Sequence, residues 1–515
     1  MPGADAPAAR KRAFAGAKVQ WFRNRIAIPL VLVVLPLLIY GQAIFQRYGF
    51  RDDYSVIREA REEPAKLVGF FGAQGRPLSG WLLKVSARQT PTINDIRWLR
   101  VLGAVGVGAL AAGFYLVLLR LQWSACLAAL TAALLVSLPS AQILVSWGIA
   151  WPLAAGSCLG LAAFAAAEEV LMTAQPWRRM ALLAAALLCL LAGALIYQPS
   201  VMFYVAGVAA SVGRRQAESL RRQIRRLAWH AVTLGMGLML AFDVTNWLFA
   251  AGIFSPSKRI AFAMDLPGKL QWYVTGPLAN ALALFALNDV SGRRIVSYSA
   301  MIIAVLALLA GSIIWVRHRR GNGAALFWLA CLLGLPLAAG SVSILVAERW
   351  SSYRTLYACA AVVLVFLMSI LGRWWAGRRR RCLGVLAAGA FLALMVARWQ
   401  AYALIARPQV QELRQLEDGA RAIDPAKKPR AFVLTLTAAQ APSSVRWADE
   451  FGSLSMDSDW TPKEALQLIM RERFPDRPDV NQCYSYMSGR VLPKTWTPDV
   501  LIDMHPSGNR RSSSE

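Results

Sequence analysis

Uncharged apolar runs of about 17–22 residues recur along this chain, each long enough to cross a bilayer, and they restrict its fold more than any other feature. Lipid offers no hydrogen-bond partner to an exposed peptide group, so such runs must be helices. Apolar residues make up 57% of the 515, in agreement with an all-α polytopic membrane protein. The 56 basic and 29 acidic residues leave a net charge of +27. Their distribution argues against nucleic acid as the partner. The basic residues fall in short blocks between apolar runs, at 10–25, 178–179, 214–226, 317–320 and 373–381. Blocks of this kind orient a membrane protein with the positive side in the cytoplasm. No folded soluble domain accompanies them to form a nucleic-acid groove.

With residues 1–25 as a basic cytoplasmic N-terminus, the runs give eleven spans, at about 26–45, 98–119, 123–140, 151–172, 180–197, 200–212, 228–250, 295–316, 324–346, 355–372 and 383–399. The first run follows a basic region as a signal peptide would, but it is a full span without a small-residue cleavage site, so it reads as a retained anchor. The stretch 270–287 is broken by Trp272, Gly276 and Pro277 and is assigned as an interfacial or re-entrant helix. That assignment keeps every basic block inside. It places the loop 46–97 and the residues from 401 onward outside the cytoplasm. The transferase-sized membrane part is then 26–400, and 401–515 forms a small extracytoplasmic α+β appendage with a disordered Ser-rich end. Within it, 409–422 reads as a polar helix, 431–437 alternates as a strand does, and Thr461-Pro462-Lys463-Glu464 starts a helix.

Several chemistries are disfavoured. Six of the seven cysteines lie in or beside apolar runs without metal-like spacing, and three histidines leave little for histidine catalysis. Neither GxxxxGK[ST] nor GxGxxG is present, so nothing suggests a nucleotide-driven pump. The first span instead runs directly into Phe50-Arg51-Asp52-Asp53-Tyr54. Two carboxylates at a membrane face ask for a use. The other outward loops add Arg58, Gly75-Arg76-Pro77, Lys258, Arg259, Asp265, Lys269, Glu348, Arg349 and Arg354. Cations on that side run against the positive-inside statistics and suit an anionic partner such as a lipid phosphate. Chemistry follows from the set: an aspartate takes the proton of an attacking sugar hydroxyl while cations stabilise the departing phosphate.

Asp52-Asp53-Tyr54 after the first span, Arg58, Gly75-Arg76-Pro77-Leu78, Tyr197-Gln198-Pro199-Ser200, the segment 255–259 and the segment 349–357 together resemble the bacterial Gtr-type (type II) glucosyl transferase family over about residues 27–400. The resemblance implies a GT-C-like fold in the bacterial inner membrane, with the N-terminus cytoplasmic and the C-terminus periplasmic. It implies transfer of a hexose, glucose in that family, from a polyprenyl-phosphate donor to a surface glycan such as O-antigen. Asp52 or Asp53 would be the catalytic acid/base. Tyr54, Arg58, Arg76, Lys258, Arg259, Arg349 and Arg354 would contact substrate, with Arg349 and Arg354 assigned from charge and side alone. No acidic cluster beside the pair supports a divalent metal, and no cofactor is assigned. A donor-synthesising enzyme and a flippase would act upstream. The alternatives are a lipid-linked glycan flippase, using Asp243, Glu168 and Glu169 within the bundle, and a polysaccharide polymerase or ligase working on a larger donor.

Overall fold

The computed structural model describes residues 23–214, 219–288, 294–317, 322–350, 352–374, 379–435 and 450–505. Most of the basic N-terminus, the Ser-rich end, parts of three basic blocks and the strand reading beyond residue 435 lie outside the described residues. The helices in chain order are α1 (Ile28–Ile44), α2 (Asp53–Glu62), α3 (Pro64–Ala73), α4 (Pro77–Arg88), α5 (Ile96–Arg120), α6 (Ala125–Ser137), α7 (Pro139–Ser146), α8 (Trp151–Val170), α9 (Pro176–Val201) and α10 (Phe203–Arg214). They continue with α11 (Leu220–Ala250), α12 (Leu266–Tyr273), α13 (Ala279–Leu282), α14 (Ile295–Arg317), α15 (Asn322–Ala339), α16 (Ser341–Leu345), α17 (Tyr357–Trp374), α18 (Arg379–Gln400), α19 (Arg407–Ala420) and α20 (Thr461–Arg473). Several begin with proline in the first turn, where its missing N–H costs nothing.

Each of the eleven apolar runs is helical, but eleven full spans are not found. Seven helices among the described residues are long and apolar enough to cross a membrane, or eight if the α6–α7 pair, bent by 58° at Pro139, is one span. Three runs form shorter apolar helices, Phe203–Gly213, Gly323–Ala339 and Tyr357–Gly372. Burial explains the shortness of two of them. The side chains of 203–211 and 356–370 are buried almost all round, so these helices touch protein and need not match the lipid thickness. The chain is a multi-pass helical membrane protein. The stretch 270–287 is a broken element, α12, a π-turn at Val274–Leu278 and α13.

The residues after α18 differ in one respect from the sequence reading. A π-turn at Ala401–Ala406 carries α18 straight into α19, so the helix Gly384–Ala420 runs unbroken through the boundary set at 400. Beyond it, β1 (Arg430–Leu434), β2 (Ser485–Gly489) and β3 (Val500–Asp503) form a parallel sheet in the order β2-β1-β3. Phe432 faces Met487 on one neighbour and Leu501 on the other. Ala431, Phe432 and Val433 are all buried, because a central parallel strand is covered on both faces; alternation does not describe it.

Two ends of the bundle are distinct. At one end Glu168 of α8 accepts from Arg226 of α11 and lies 3.0 Å from His230 Nε2, whose Nδ1 is 2.8 Å from the Tyr204 hydroxyl on α10. At the other end the 46–97 loop helices, the loop residues 255–265, 345–350 and 352–356, and the sheet unit come together.

Candidate functional site

The aspartate pair stands on a turn that α1 and α5 build jointly. Arg100 of α5 is fully buried and donates to the carbonyls of Ile44, Gln46 and Tyr48, at 3.0, 2.5 and 2.9 Å. One guanidinium thereby satisfies the orphan carbonyls at the end of α1 and stacks over Tyr48 at 4.0 Å. Arg51 follows in the left-handed region, φ +46°, with its N–H given to Ser455 Oγ at 2.7 Å. A non-glycine residue held there stores about 1 kcal/mol or more of strain, directly ahead of the pair.

Asp53 is buried, and both of its oxygens accept backbone N–H groups. Oδ2 takes Phe50 at 2.9 Å and Gly148 at 3.3 Å, and Oδ1 takes Ile149 at 2.9 Å. A Cβ on Gly148 would sit 3.0 Å from Asp53 Oδ1 and 2.7 Å from Ile96 Cγ2, so the glycine admits this approach. Burial pushes the Asp53 carboxyl up to about 6, against the pull of these N–H donors and of Arg100. Asp52 is half-buried, and its Oδ1 accepts the indole N–H of Trp460 at 2.9 Å. The neighbours therefore differ: Asp53 braces the turn and Asp52 faces outward from it.

The cations divide into three groups. Arg76 follows Gly75, whose φ of +70° makes the turn. Gln198 closes on that turn, donating to Gly75 O at 3.0 Å and accepting from Arg76 Nε at 3.3 Å. Tyr197 leaves helical geometry (φ −163°, ψ 111°) and puts its ring 4.4 Å under the Arg76 guanidinium. The Gly75-Arg76-Pro77 and Tyr197-Gln198-Pro199-Ser200 motifs thus interlock. Among the described residues no carboxylate is within ion-pairing distance of Arg76. Its pKa is lowered chiefly by burial; the Tyr197 phenol offsets part of this, Arg354 and Arg259 push it further down, and Glu348 opposes them.

Arg354 lies over the Trp147 ring at 4.6 Å, and Trp147 meets Phe50 edge-on at 5.0 Å. This aromatic pair connects the cation to the aspartate turn. Glu450, fully buried, is 3.9 Å from Arg354 and also accepts from Ser352 and from the Tyr353 N–H. Arg259 reaches Glu348 at 3.5 Å because residues 262 and 346 pair as an antiparallel bridge, flanked by Ala263 N–H to Leu345 O and Ala347 N–H to Ala261 O. Ser257 N–H to Ala73 O ties the same loop to α3.

The remaining candidates stand apart from this cluster. Lys258 is an exposed rim residue, and Arg349 is exposed and 3.5 Å from Asp265. Tyr54, assigned to substrate, is completely buried with its hydroxyl accepting the Gly49 N–H, so it supports the turn from beneath. Arg58, also assigned to substrate, is 7% exposed and bound by Glu62, Glu63 and Glu464. Its role is to join α2 to α20, since four surrounding carboxylates leave no place for a ligand phosphate. Among the described residues no three His, Cys, Asp or Glu side chains gather to hold a metal. Of the residues a flippase path would use, Asp243 is on an exposed helix face, Glu168 is held by Arg226 and His230, and Glu169 lies near Arg120 and Arg178.

No family model and no curated protein matches the chain. Among solved structures it is similar to the oligosaccharyltransferase of Archaeoglobus fulgidus in complex with zinc and sulfate: 14% identity, 77% of this chain and 55% of that one, TM-score 0.42. It is likewise similar to the archaeal oligosaccharyltransferase AglB of the same organism in complex with an inhibitory peptide and a dolichol-phosphate: 13% identity, 79% of this chain and 59% of that one, TM-score 0.41. The chain spans little more than half the length of both.

Sequence reasoning missed Arg100, Trp147, Gly148, Glu450 and Trp460. Arg100 carried a signal, a lone cation just inside an otherwise uncharged run. Trp147, Gly148 and Trp460 are set at the pair and its turn only by contacts across about 95 to 408 positions of sequence, and Glu450 reaches Arg354 across a comparable gap.

Proposed function

We propose that this protein is a membrane glycosyltransferase that moves a hexose, glucose by the family resemblance, from a polyprenyl-phosphate donor to a surface glycan such as O-antigen. The reaction would occur at the face carrying the aspartate turn, on the periplasmic side of a bacterial inner membrane. The observation that carries this reading is the joining, through Phe50 and Trp147, of a half-buried aspartate on the turn to the guanidinium of Arg354, whose positive charge, with that of Arg259, acts on Arg76. Asp52 is the base: it takes the proton of the acceptor hydroxyl as that oxygen bonds to the anomeric carbon. The bond from that carbon to the phosphate oxygen breaks, and its electron pair leaves with the polyprenyl phosphate. Arg76, without a carboxylate of its own, and Arg354 face the charge that develops on the phosphate. A donor-synthesising enzyme and a flippase would deliver the substrate to this face.

The test incubates purified protein with polyprenyl-phosphate glucose and measures release of the lipid phosphate. Asp52→Asn is expected to lower turnover by about 10²–10⁴-fold, the usual worth of a general base. Full turnover in that variant removes the assignment. Use of a diphosphate-linked oligosaccharide in place of the monophosphate donor would make the protein a polymerase or ligase.

A further inference from the structure

The segment 455–460 of the C-terminal unit arches over the aspartate turn and is fixed at several points. Ser455 Oγ accepts the Arg51 N–H and donates to Gln409, while the Glu412 carboxylate accepts the N–H groups of Ser455 and Met456. Directly after it, α20 is pinned to α2 by Arg58–Glu464 and Arg471–Glu62, and Glu472 reaches Arg47 and the Ile93 N–H. Trp460 lies between these anchors. Its N–H is spent on Asp52 Oδ1, yet the side chain remains 51% exposed. An indole that only anchored the protein at the lipid interface would turn its N–H to water or head groups. Here the polar edge meets the carboxylate, and about half of the large apolar side chain stays exposed beside it.

We infer that Trp460 is the acceptor-sugar platform: a pyranose ring lies with its C–H face on the indole, bringing one hydroxyl to Asp52, while the indole N–H orients that carboxylate. This rests on the transferase reading above and gives its acceptor subsite. Trp460 would therefore be a specificity and positioning residue contributed by the C-terminal unit, and the site would be incomplete without that unit.

The experiment uses the full chain in lipid nanodiscs, with the surface polysaccharide of the producing organism, released by mild acid, as the probe. Binding is measured calorimetrically without donor, and acceptor and donor KM are measured with polyprenyl-phosphate glucose. Trp460→Ala is expected to weaken binding and raise acceptor KM by about tenfold, the scale of one aromatic contact, with donor KM unchanged. Trp460→Phe keeps the ring and loses the N–H, so it should keep acceptor KM and lower kcat. That split is not what a docking defect gives, because loss of docking would move both variants together and lower the thermal midpoint. Equal polysaccharide binding by wild type and Trp460→Ala overturns the platform, as does no binding by wild type. Failure of wild type to release lipid phosphate counts against the transferase reading, and the binding arm still decides the platform.

Discussion

Because both oxygens of Asp53 accept backbone N–H groups, its isostere asparagine cannot reproduce the set: one donor would face an amide N–H. An unmatched buried donor costs about 1–3 kcal/mol, so Asp53→Asn is expected to lower the thermal midpoint in detergent. The pH dependence has a definite sign. The ordinary value is 3.8 and the folded value is about 6, with burial the leading cause. Between those pH values the folded state binds a proton that the unfolded chain has lost, so this group's contribution to stability falls as pH rises from about 4 to about 6. The difference is on the order of 3 kcal/mol. Wild type should gain stability relative to Asp53→Asn when the pH is lowered from 7 to 5, and parallel midpoint curves would refute this. Asp52 and Asp53 were equivalent candidates in sequence, since adjacency says nothing about which carboxylate receives the N–H groups of 148 and 149.

At the scale of elements, the end of α1 depends on α5. Arg100→Met roughly keeps the volume and removes the guanidinium donors to the carbonyls of Ile44, Gln46 and Tyr48, two of these bonds buried and one part-buried. The expected loss is about 2–4 kcal/mol, and hydrogen exchange should rise through residues 45–52 before it rises elsewhere. Unchanged protection there would mean that the turn holds without its cap. Helix existence was legible because uncharged runs allow nothing else in lipid, as in α1, α5 and α14. Helix length was not. The runs at 200–212 and 355–372 are as apolar as true spans, and only their enclosure by other helices shows why they can be short.

For the whole molecule, Arg58 is one of the clasps between the membrane part and the C-terminal unit. Arg58→Ala would leave Glu59, Glu62, Glu63 and Glu464 facing one another, and breaking a buried ion pair of this kind costs about 3–5 kcal/mol. Exchange protection of Thr461–Arg473 should fall while that of the apolar spans stays unchanged; equal protection in both proteins would mean that the other contacts suffice for docking. Arg58 shows where sequence reasoning stops. Its charge and its place near the pair suggested a phosphate ligand, and only the arrival of Glu464 from 406 positions away makes it a structural tie. By itself the sequence determined the solvent and the elements, since hydropathy and local hydrogen bonding act within one helix. It also marked the loops that carry Asp52, Arg76, Arg259 and Arg354. Tertiary structure alone decided which aspartate keeps access to solvent, that Tyr54 and Arg58 are internal supports, that Trp460 belongs beside the turn and that Glu450 lies against Arg354. Those outcomes depend on burial and on pairing between distant segments, which no local pattern encodes.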